Sequence, residues 1–269
     1  EPRRARAALA DHEEQLHRRH DATARANAHP TLMRARVSEA AAMIVTLPLV
    51  LFSPQVLWPP LGYALLVLAC RTAGHERLAP LLRLRLAHNA LLAAYSFLVG
   101  WATIDKLGQR HGLHEIVCVA GAGAAPHWYA SKYWEWLDTV FIYANGRSPS
   151  TLHLGHHATA ASVVALNLLG RAWPTPLYDV GTALNATVHT YMYMYYCDPY
   201  VFRPFRRIIT QAQIAQHATI ITLLIGALAT PGCDAPVVPY AASLGAYGFY
   251  LVMFLGFYAK AYSAKAARA

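Results

Sequence analysis

Long apolar runs recur along the chain, separated by short polar or proline- and glycine-containing segments. Most runs are close to the roughly 20 residues that a helix needs to cross the hydrocarbon core of a bilayer. Strand-like alternation is weak, so the pattern predicts an all-α integral membrane protein rather than a transmembrane barrel. We expect about seven transmembrane helices, at residues 55–70, 86–104, 114–144, 152–170, 176–197, 208–229 and 236–258.

The composition agrees with membrane insertion. Hydrophobic residues make up 56% of the 269 residues and charged residues 14%, well below the roughly 25% charged residues of soluble domains. One transmembrane domain with flanking segments is therefore expected. The division is a flexible or interfacial basic arm at 1–36, a short apolar segment at 37–54, a transmembrane catalytic domain at 55–262 and a cytosolic tail at 263–269.

The formal net charge of +9 would suit nucleic acid binding, but the basic residues lie where loops are expected, so membrane topology explains them better. With a cytosolic C-terminus, Arg203, Arg206 and Arg207 fall on the cytosolic side and Lys106 on the other. The arginine-rich arm conflicts with an odd number of spans, because the positive-inside rule keeps it cytosolic too. A short or re-entrant eighth segment at 40–52 is one resolution.

The four cysteines, Cys70, Cys118, Cys197 and Cys233, show no CxxC spacing and are scattered through apolar sequence. Neither a zinc site nor a disulfide framework is indicated by such spacing. All four are therefore expected to be free, buried thiols.

Four clusters of polar residues interrupt the predicted spans. Because ionisable groups are costly inside a bilayer, such residues usually face a bundle interior or a cavity. Each cluster spaces its polar residues three or four positions apart, which places them on one face of a helix. The clusters are Lys132, Glu135, Asp138 and Thr139; His153, His156 and His157; Asn185, His189, Met192, Tyr193 and Tyr196; and Thr210, Gln213, Gln216 and His217.

Structural explanations compete with functional ones. The first cluster could be an intrahelical ion pair, the tyrosines an interfacial belt, and the glutamines hydrogen-bonding contacts between helices. Three histidines within five residues of a membrane span, His153, His156 and His157, favour function.

Imidazole offers metal ligation or nucleophilic and acid–base catalysis. Di-iron membrane desaturases and hydroxylases also use HxxHH spacing, but they spread many histidines over several boxes. Here the interior histidines form only one box, which supplies too few ligands for a di-iron centre. No metal site is therefore predicted. The interior set is His127, His153, His156, His157, His189 and His217. A neutral imidazole in a dry pocket can instead attack a thioester and form an acyl-imidazole.

The four clusters resemble, in order and spacing, four motifs of the ELO family of very-long-chain fatty acid elongases. The matches are residues 132–139 with KxxExxDT, 153–157 with HxxHH, 185–196 with NxxxHxxMYxYY, and 210–216 with TxxQxxQ. Asn89, Ser96 and the closing residues 254–258 are also similar to the family, so the resemblance covers about residues 55–262.

The resemblance implies a multi-pass endoplasmic reticulum protein with six of seven helices enclosing an acyl tunnel that opens to the cytosol. It implies condensation of a long-chain acyl-CoA with malonyl-CoA to 3-ketoacyl-CoA, CO2 and CoA, with no further cofactor. Expected partners are membrane lipid, a second copy of the chain and other enzymes of the elongation cycle, and no nucleic acid.

The resemblance also assigns roles. His156 is expected to take the acyl group, with His153 and His157 orienting or deprotonating it. His189 and Asn185 would assist malonyl decarboxylation and stabilise the enolate. The carboxylate cluster, Lys132, Glu135 and Asp138, would position the imidazoles. The expected substrate-path residues are Tyr193, Tyr196, Met192, Gln213 and Gln216, and the expected CoA phosphate partners are Arg203, Arg206, Arg207 and Lys260.

Gly155 stands where the family often has an aromatic residue, and it could widen the tunnel beside the nucleophile. Tyrosine-rich walls favour polyunsaturated substrates. A di-iron oxygenase and a non-enzymatic seven-helix receptor or channel remain as alternatives.

Overall fold

A computed structural model describes residues 52–119, 126–169, 176–233, 235 and 237–263. The expectations for the N-terminal arm, for most of segment 37–54 and for nearly all of the C-terminal tail lie outside these residues. Within them the chain is helical without any strand, as the pattern predicted. The α-helices there are α1 (Pro54–Leu78), α2 (Arg85–Gly108), α3 (Leu113–Cys118), α4 (Pro126–Trp134), α5 (Leu137–Ala144), α6 (Thr151–Leu169), α7 (Pro176–Cys197), α8 (Arg206–Ala229) and α9 (Val237–Tyr258).

Three described stretches are long and apolar enough to cross a membrane, namely Pro54–Gly108, Arg203–Ala229 and Pro239–Tyr262. The first contains both α1 and α2. Large apolar side chains on their outer faces, such as Leu98 and Val252, are more than half exposed, at 65% and 68%. The protein is therefore a multi-pass membrane protein, and the count of seven spans stays a prediction.

The long helices pack as a chain of neighbours. α2 packs on α7, α7 on α8, α8 on α9, α9 on α6 and α6 on α1. α5 packs on α1, and α4 packs on α6. The series begins with α2 and ends with α1. A hydrogen bond from His88 on α2 to Asp138 on α5, the neighbour of α1, connects its two ends. The polar clusters of α4 to α8 are thereby brought towards a common interior.

Pro59 and Pro60 lie inside α1. A proline lacks the N–H that would bond the carbonyl four residues earlier, and such a carbonyl must find another donor inside a bilayer. The carbonyl of Val56 accepts a hydrogen bond from the Ser162 hydroxyl of α6 at 2.6 Å. That of Gln55 accepts one from the Tyr129 hydroxyl at 3.2 Å. Side chains of neighbouring helices therefore replace the missing donors.

The long third span expected at 114–144 is interrupted, and its polar residues do not share one helix. Lys132 lies on α4, Glu135 in the turn that follows, and Asp138 on α5. The Asp138 N–H donates to the Glu135 carbonyl at 3.1 Å, a three-residue spacing that tightens the backbone. Helical periodicity alone could not reveal this turn, and it sends the two carboxylates to different partners.

The expectation of four free cysteines was wrong. Cys118 at the end of α3 forms a disulfide with Cys233, and their Cα atoms are 4.4 Å apart. The two are separated by 115 residues, so only tertiary packing brings them together. Cys70 and Cys197 are free. The disulfide adjoins a buried apolar cluster that contains Val117, Cys118, Leu177, Ile220, Leu224, Ala227 and Tyr240.

Candidate active site

Two cavities meet inside the helical bundle. The large cavity has a volume of about 810 Å³, and the narrow cavity one of about 80 Å³. His156 and Asn185 line both. Side chains from all four polar clusters line the large cavity: Glu135, Asp138, His153, His156, His157, Asn185, His189, Met192, Tyr193, Tyr196, Thr210, Gln213 and Gln216.

The histidine box occupies the first two turns of α6. His153 Nε2 lies 2.9 Å from the Thr139 hydroxyl of α5, which in turn lies 2.8 Å from the Tyr63 hydroxyl of α1. The His157 ring packs between His153, at 4.1 Å between centroids, and Tyr63, at 6.1 Å. Two of the three imidazoles are therefore fixed by neighbours from α1 and α5.

Of the three box histidines, His156 is the one that lines the narrow cavity as well as the large one. Its ring contacts those of His157 and Tyr250, with centroids 5.4 and 5.0 Å away. Among the described residues, no hydrogen bond is found to the ring nitrogens of His156 or of His157. Because His156 lines both cavities, it is the box imidazole whose nitrogen is best placed to attack a bound molecule.

A buried ion pair between Lys132 of α4 and Glu135 of the following turn connects this region to α7. The Lys132 ammonium donates to Glu135 Oε1 at 2.6 Å and to Asn185 Oδ1 at 3.3 Å. His189 Nδ1 lies 3.6 Å from the same Glu135 oxygen, too far for a hydrogen bond, and has no hydrogen-bond partner in the described part of the chain. Lys132 and Glu135 thus contact the Asn185–His189 face rather than the histidine box.

Asp138 faces a different set of partners. His88 Nε2 of α2 donates to its Oδ1 at 2.9 Å, and the Tyr193 hydroxyl of α7 donates to its Oδ2 at 2.7 Å. Both Tyr193 and His88 are buried. Sequence reasoning missed His88, although a histidine inside an apolar run next to Asn89 was a usable signal. Asn89 itself donates to the Tyr196 carbonyl at 3.1 Å.

The fourth cluster lies across the large cavity on α8. Gln213 Nε2 contacts Met192 Sδ at 3.7 Å, and the His217 ring donates to the Gln213 carbonyl. Gln216 Oε1 is buried and has no hydrogen-bond partner among the described residues. The Thr210 hydroxyl is bonded to its own helix, at the Arg206 carbonyl. Gln216 is therefore the member of this cluster with an unused acceptor at the cavity wall.

Basic residues surround one side of the large cavity. Arg206 lines both it and an adjoining groove that also contains Arg203 and Arg207. Lys260 is exposed on a π-helical turn after α9 and lines neither. Arg85 and Arg147 also line the large cavity. The sequence did not single out Arg85 or Arg147, because their distance from the box depends on the fold.

Gly155 does not widen either cavity. A Cβ atom there would come within 3.2 Å of the Phe249 ring on α9. Its small size therefore serves the close approach of α6 and α9. Within the described ranges, no group of three or more His, Cys, Asp or Glu side chains could hold a metal ion.

Comparison with known proteins adds an independent observation. The profile of the ELO: GNS1/SUR4 family matches residues 55–269. The chain is 26% identical to fatty acid elongase sre1 of Dictyostelium discoideum, over 77% of this chain and 82% of that protein. It is 36% identical to fatty acid elongase 4 of Trypanosoma brucei brucei and 30% identical to very long chain fatty acid elongase 2 of Rattus norvegicus. Both matches span about half of each protein. The first covers 48% of this chain and 52% of the Trypanosoma protein, and the second covers 51% of this chain and 51% of the Rattus protein.

Proposed function

This chain belongs to the ELO: GNS1/SUR4 family, and on that premise we propose that it condenses a long-chain acyl-CoA with malonyl-CoA, as a 3-oxoacyl-CoA synthase. The products would be 3-ketoacyl-CoA, CO2 and CoA. The observation that carries the proposal is the position of His156 where a large cavity lined by many polar side chains meets a narrow, mainly apolar one. A thioester held at this junction would leave its CoA in the first and direct its acyl chain into the second, which at about 80 Å³ must widen to hold a long chain.

The first half-reaction transfers the acyl group to His156. A nitrogen lone pair of the neutral imidazole attacks the thioester carbonyl carbon, and the π electrons move to the oxygen. Collapse of this intermediate breaks the C–S bond. The proton lost from the imidazole goes to the departing thiolate, which gives free CoA and an acyl-imidazole. His157, whose ring centroid is 5.4 Å from that of His156, is the nearest box imidazole for handling this proton.

The second half-reaction consumes malonyl-CoA. Its carboxylate leaves as CO2, and the electrons of the broken C–C bond form an enolate. The enolate carbon attacks the acyl-imidazole carbonyl, and the C–N bond breaks as the ketone forms. His156 regains a proton from solvent. His189 and Asn185 line the same cavity, and their polar nitrogens are candidates for stabilising the enolate oxygen.

The basic residues favour recognition of CoA. Arg85, Arg147 and Arg206 line the large cavity, and guanidinium groups suit phosphate oxygens because of their paired donors. The end of the large cavity that these arginines line is its arginine-lined mouth. We propose that this mouth opens on the cytosolic face of the endoplasmic reticulum, following the positive-inside rule. Self-association and contact with other elongation-cycle enzymes stay predictions from the family.

The walls of the narrow cavity favour polyunsaturated acyl chains. Four tyrosines line it: Tyr178, Tyr240, Tyr247 and Tyr250. Their aromatic faces can contact the π electrons of double bonds, which a saturated chain lacks. A panel of acyl-CoAs with matched lengths and zero to several double bonds measures this preference, and equal kcat/KM values across the panel would oppose it.

The activity is tested with purified full-length protein, acyl-CoA and radiolabelled malonyl-CoA. We expect a labelled 3-ketoacyl product, and its absence across chain lengths would contradict the proposal. Acyl-CoA alone should add one acyl mass to the protein, and His156→Ala should lose both adduct and condensation. His114→Ala, at an exposed position outside both cavities, is the matched control. An adduct that persists in His156→Ala would move the nucleophile to another histidine.

A further inference from the structure

Lys132 carries the ammonium group closest to the proposed reaction. The residue is 4% exposed, and it lines the narrow cavity together with His156 and Asn185. A buried ammonium is costly unless its charge is compensated. Glu135 supplies a carboxylate at 2.6 Å, and the face of the Trp128 ring lies 4.0 Å away. Lys132 is thus a stabilised cation at the wall of a cavity.

The ammonium has hydrogen-bonding capacity left. It carries three N–H groups and no acceptor. Two donate to Glu135 and Asn185, and the cation–π contact with Trp128 attracts the charge without requiring a hydrogen bond. The third N–H has no acceptor among the described residues. It is therefore available to a molecule in the narrow cavity.

Lys132 also orients the Asn185 amide. Because an ammonium only donates, the end of the amide that faces it must be the oxygen. The NH2 end of Asn185 then points elsewhere, and it makes no hydrogen bond to any described residue. Asn185 lines both cavities. Two N–H donors, one from Lys132 and one from Asn185, are consequently held together beside the junction that contains His156.

We propose that Lys132, with Asn185, forms the oxyanion site for acylation of His156, so that Lys132 is a catalytic residue rather than a positioning residue for the imidazoles. This inference rests on the proposed function. When His156 attacks, the carbonyl π electrons move to oxygen, and the Lys132 N–H donates to that oxyanion. When the C–S bond breaks, the electrons return to the carbonyl and the hydrogen bond weakens. Lys132 keeps all its protons throughout.

The assignment follows from charge as well as position. Donors aimed at developing negative charge act most strongly where water is excluded, and a cation strengthens such a bond. Glu135 offsets part of the ammonium charge, but it occupies only one of the three N–H groups. His189 cannot replace Lys132 here, since it does not line the narrow cavity.

The test compares the wild-type protein with the double variant Lys132→Met/Glu135→Gln. Both members of the ion pair are replaced together, because either charge alone would be buried without compensation. Ionised Glu135 has no N–H to donate, so a change in oxyanion stabilisation reports the ammonium. Single-turnover acylation of the purified full chain is followed by intact mass with an acyl-CoA and with its analogue in which the carbonyl oxygen is sulfur. Sulfur accepts hydrogen bonds weakly. A donor that stabilises the oxyanion therefore raises the ratio of the acylation rate with the oxygen substrate to the rate with the sulfur substrate.

The wild-type protein is expected to show a high oxygen-to-sulfur rate ratio. The double variant should acylate roughly 10²- to 10³-fold more slowly with the oxygen substrate, and its ratio should fall towards that of free imidazole in solution. Equal ratios in the wild-type protein and the double variant, or acylation rates that agree, would overturn the proposal while leaving the acyl-histidine intermediate in place. A wild-type protein that condenses its substrates without any acyl adduct would instead remove that intermediate and the oxyanion site with it.

Discussion

His88 on α2 and Asp138 on α5 form a buried hydrogen bond of 2.9 Å between helices that are 50 residues apart in sequence. The other Asp138 oxygen accepts from Tyr193 of α7. One carboxylate therefore ties three helices together beside the large cavity. Neither partner is a box histidine. Asp138 therefore contributes to the site by holding α2, α5 and α7 in place.

His88→Phe is expected to lower the free energy of unfolding by about 1–3 kcal/mol, because it leaves a buried carboxylate oxygen without its donor. Thermal unfolding in detergent measures this. A double-mutant cycle with Tyr193→Phe should show coupling, since both residues bond one carboxylate. His114→Phe, at an exposed position, is the control. Additive effects of His88→Phe and Tyr193→Phe would contradict a shared role.

The Thr139 hydroxyl links the box to α1, through His153 on one side and Tyr63 on the other. Thr139→Val keeps the shape but removes both hydrogen bonds. We expect kcat for condensation to fall about 2- to 10-fold, the equivalent of one hydrogen bond of roughly 0.5–1.5 kcal/mol, with little change in KM. Tyr63→Phe keeps the bond to His153 and should cost less. A larger loss in Tyr63→Phe would assign the effect to α1 instead.

Ser162 of α6 should be required only because α1 contains a proline. Ser162→Ala leaves the Val56 carbonyl without its donor, and we expect a loss of about 1–3 kcal/mol in unfolding free energy. Pro60→Ala restores a backbone N–H that can bond the same carbonyl. In that background Ser162→Ala should be nearly neutral. Thermal unfolding of the wild type, the two single variants and the double variant measures the coupling. An equal cost of Ser162→Ala in both backgrounds would show that Ser162 does not replace the N–H that Pro60 lacks.

Sequence patterns located the parts of the site that lie within single helices. The spacing of His153, His156 and His157 and of the Asn185–His189 face follows helical periodicity, and α6 and α7 begin and end within one residue of the predicted spans. Periodicity reports which residues share a face of one helix. It does not report which helices touch.

Two of the missed features depend on contacts between elements. His88 and Asp138 meet only because α2 and α5 are neighbours, and Cys118 and Cys233 only because the segment after α8 returns to α3. The turn at Glu135 is a different case. It is local, but its three-residue hydrogen bonds leave no distinctive residue pattern, so an uninterrupted helix was the natural prediction.

The disulfide lies far from the arginine-lined mouth, because α8 runs from Arg206 to Ala229 and spans about 35 Å at ~1.5 Å per residue. Replacing Cys118 and Cys233 together by alanine should lower the free energy of unfolding by roughly 2–5 kcal/mol. Acylation of His156 should continue at the wild-type rate in the folded fraction. Alkylation under denaturing conditions should modify two cysteines before reduction and four after it. Four before reduction would contradict the pairing.

The narrow cavity makes a prediction about acyl chain length. Val164 lines it on α6, eight residues beyond His156 and therefore about 12 Å further along the helix. Val164→Phe should block the cavity at that depth, so that kcat/KM falls at least tenfold for long acyl-CoAs and changes little for short ones. Val252→Phe, on a face of α9 that is 68% exposed, is the matched control. Product analysis across chain lengths measures both variants. A uniform loss at every length in Val164→Phe would mean that the acyl chain does not occupy this cavity.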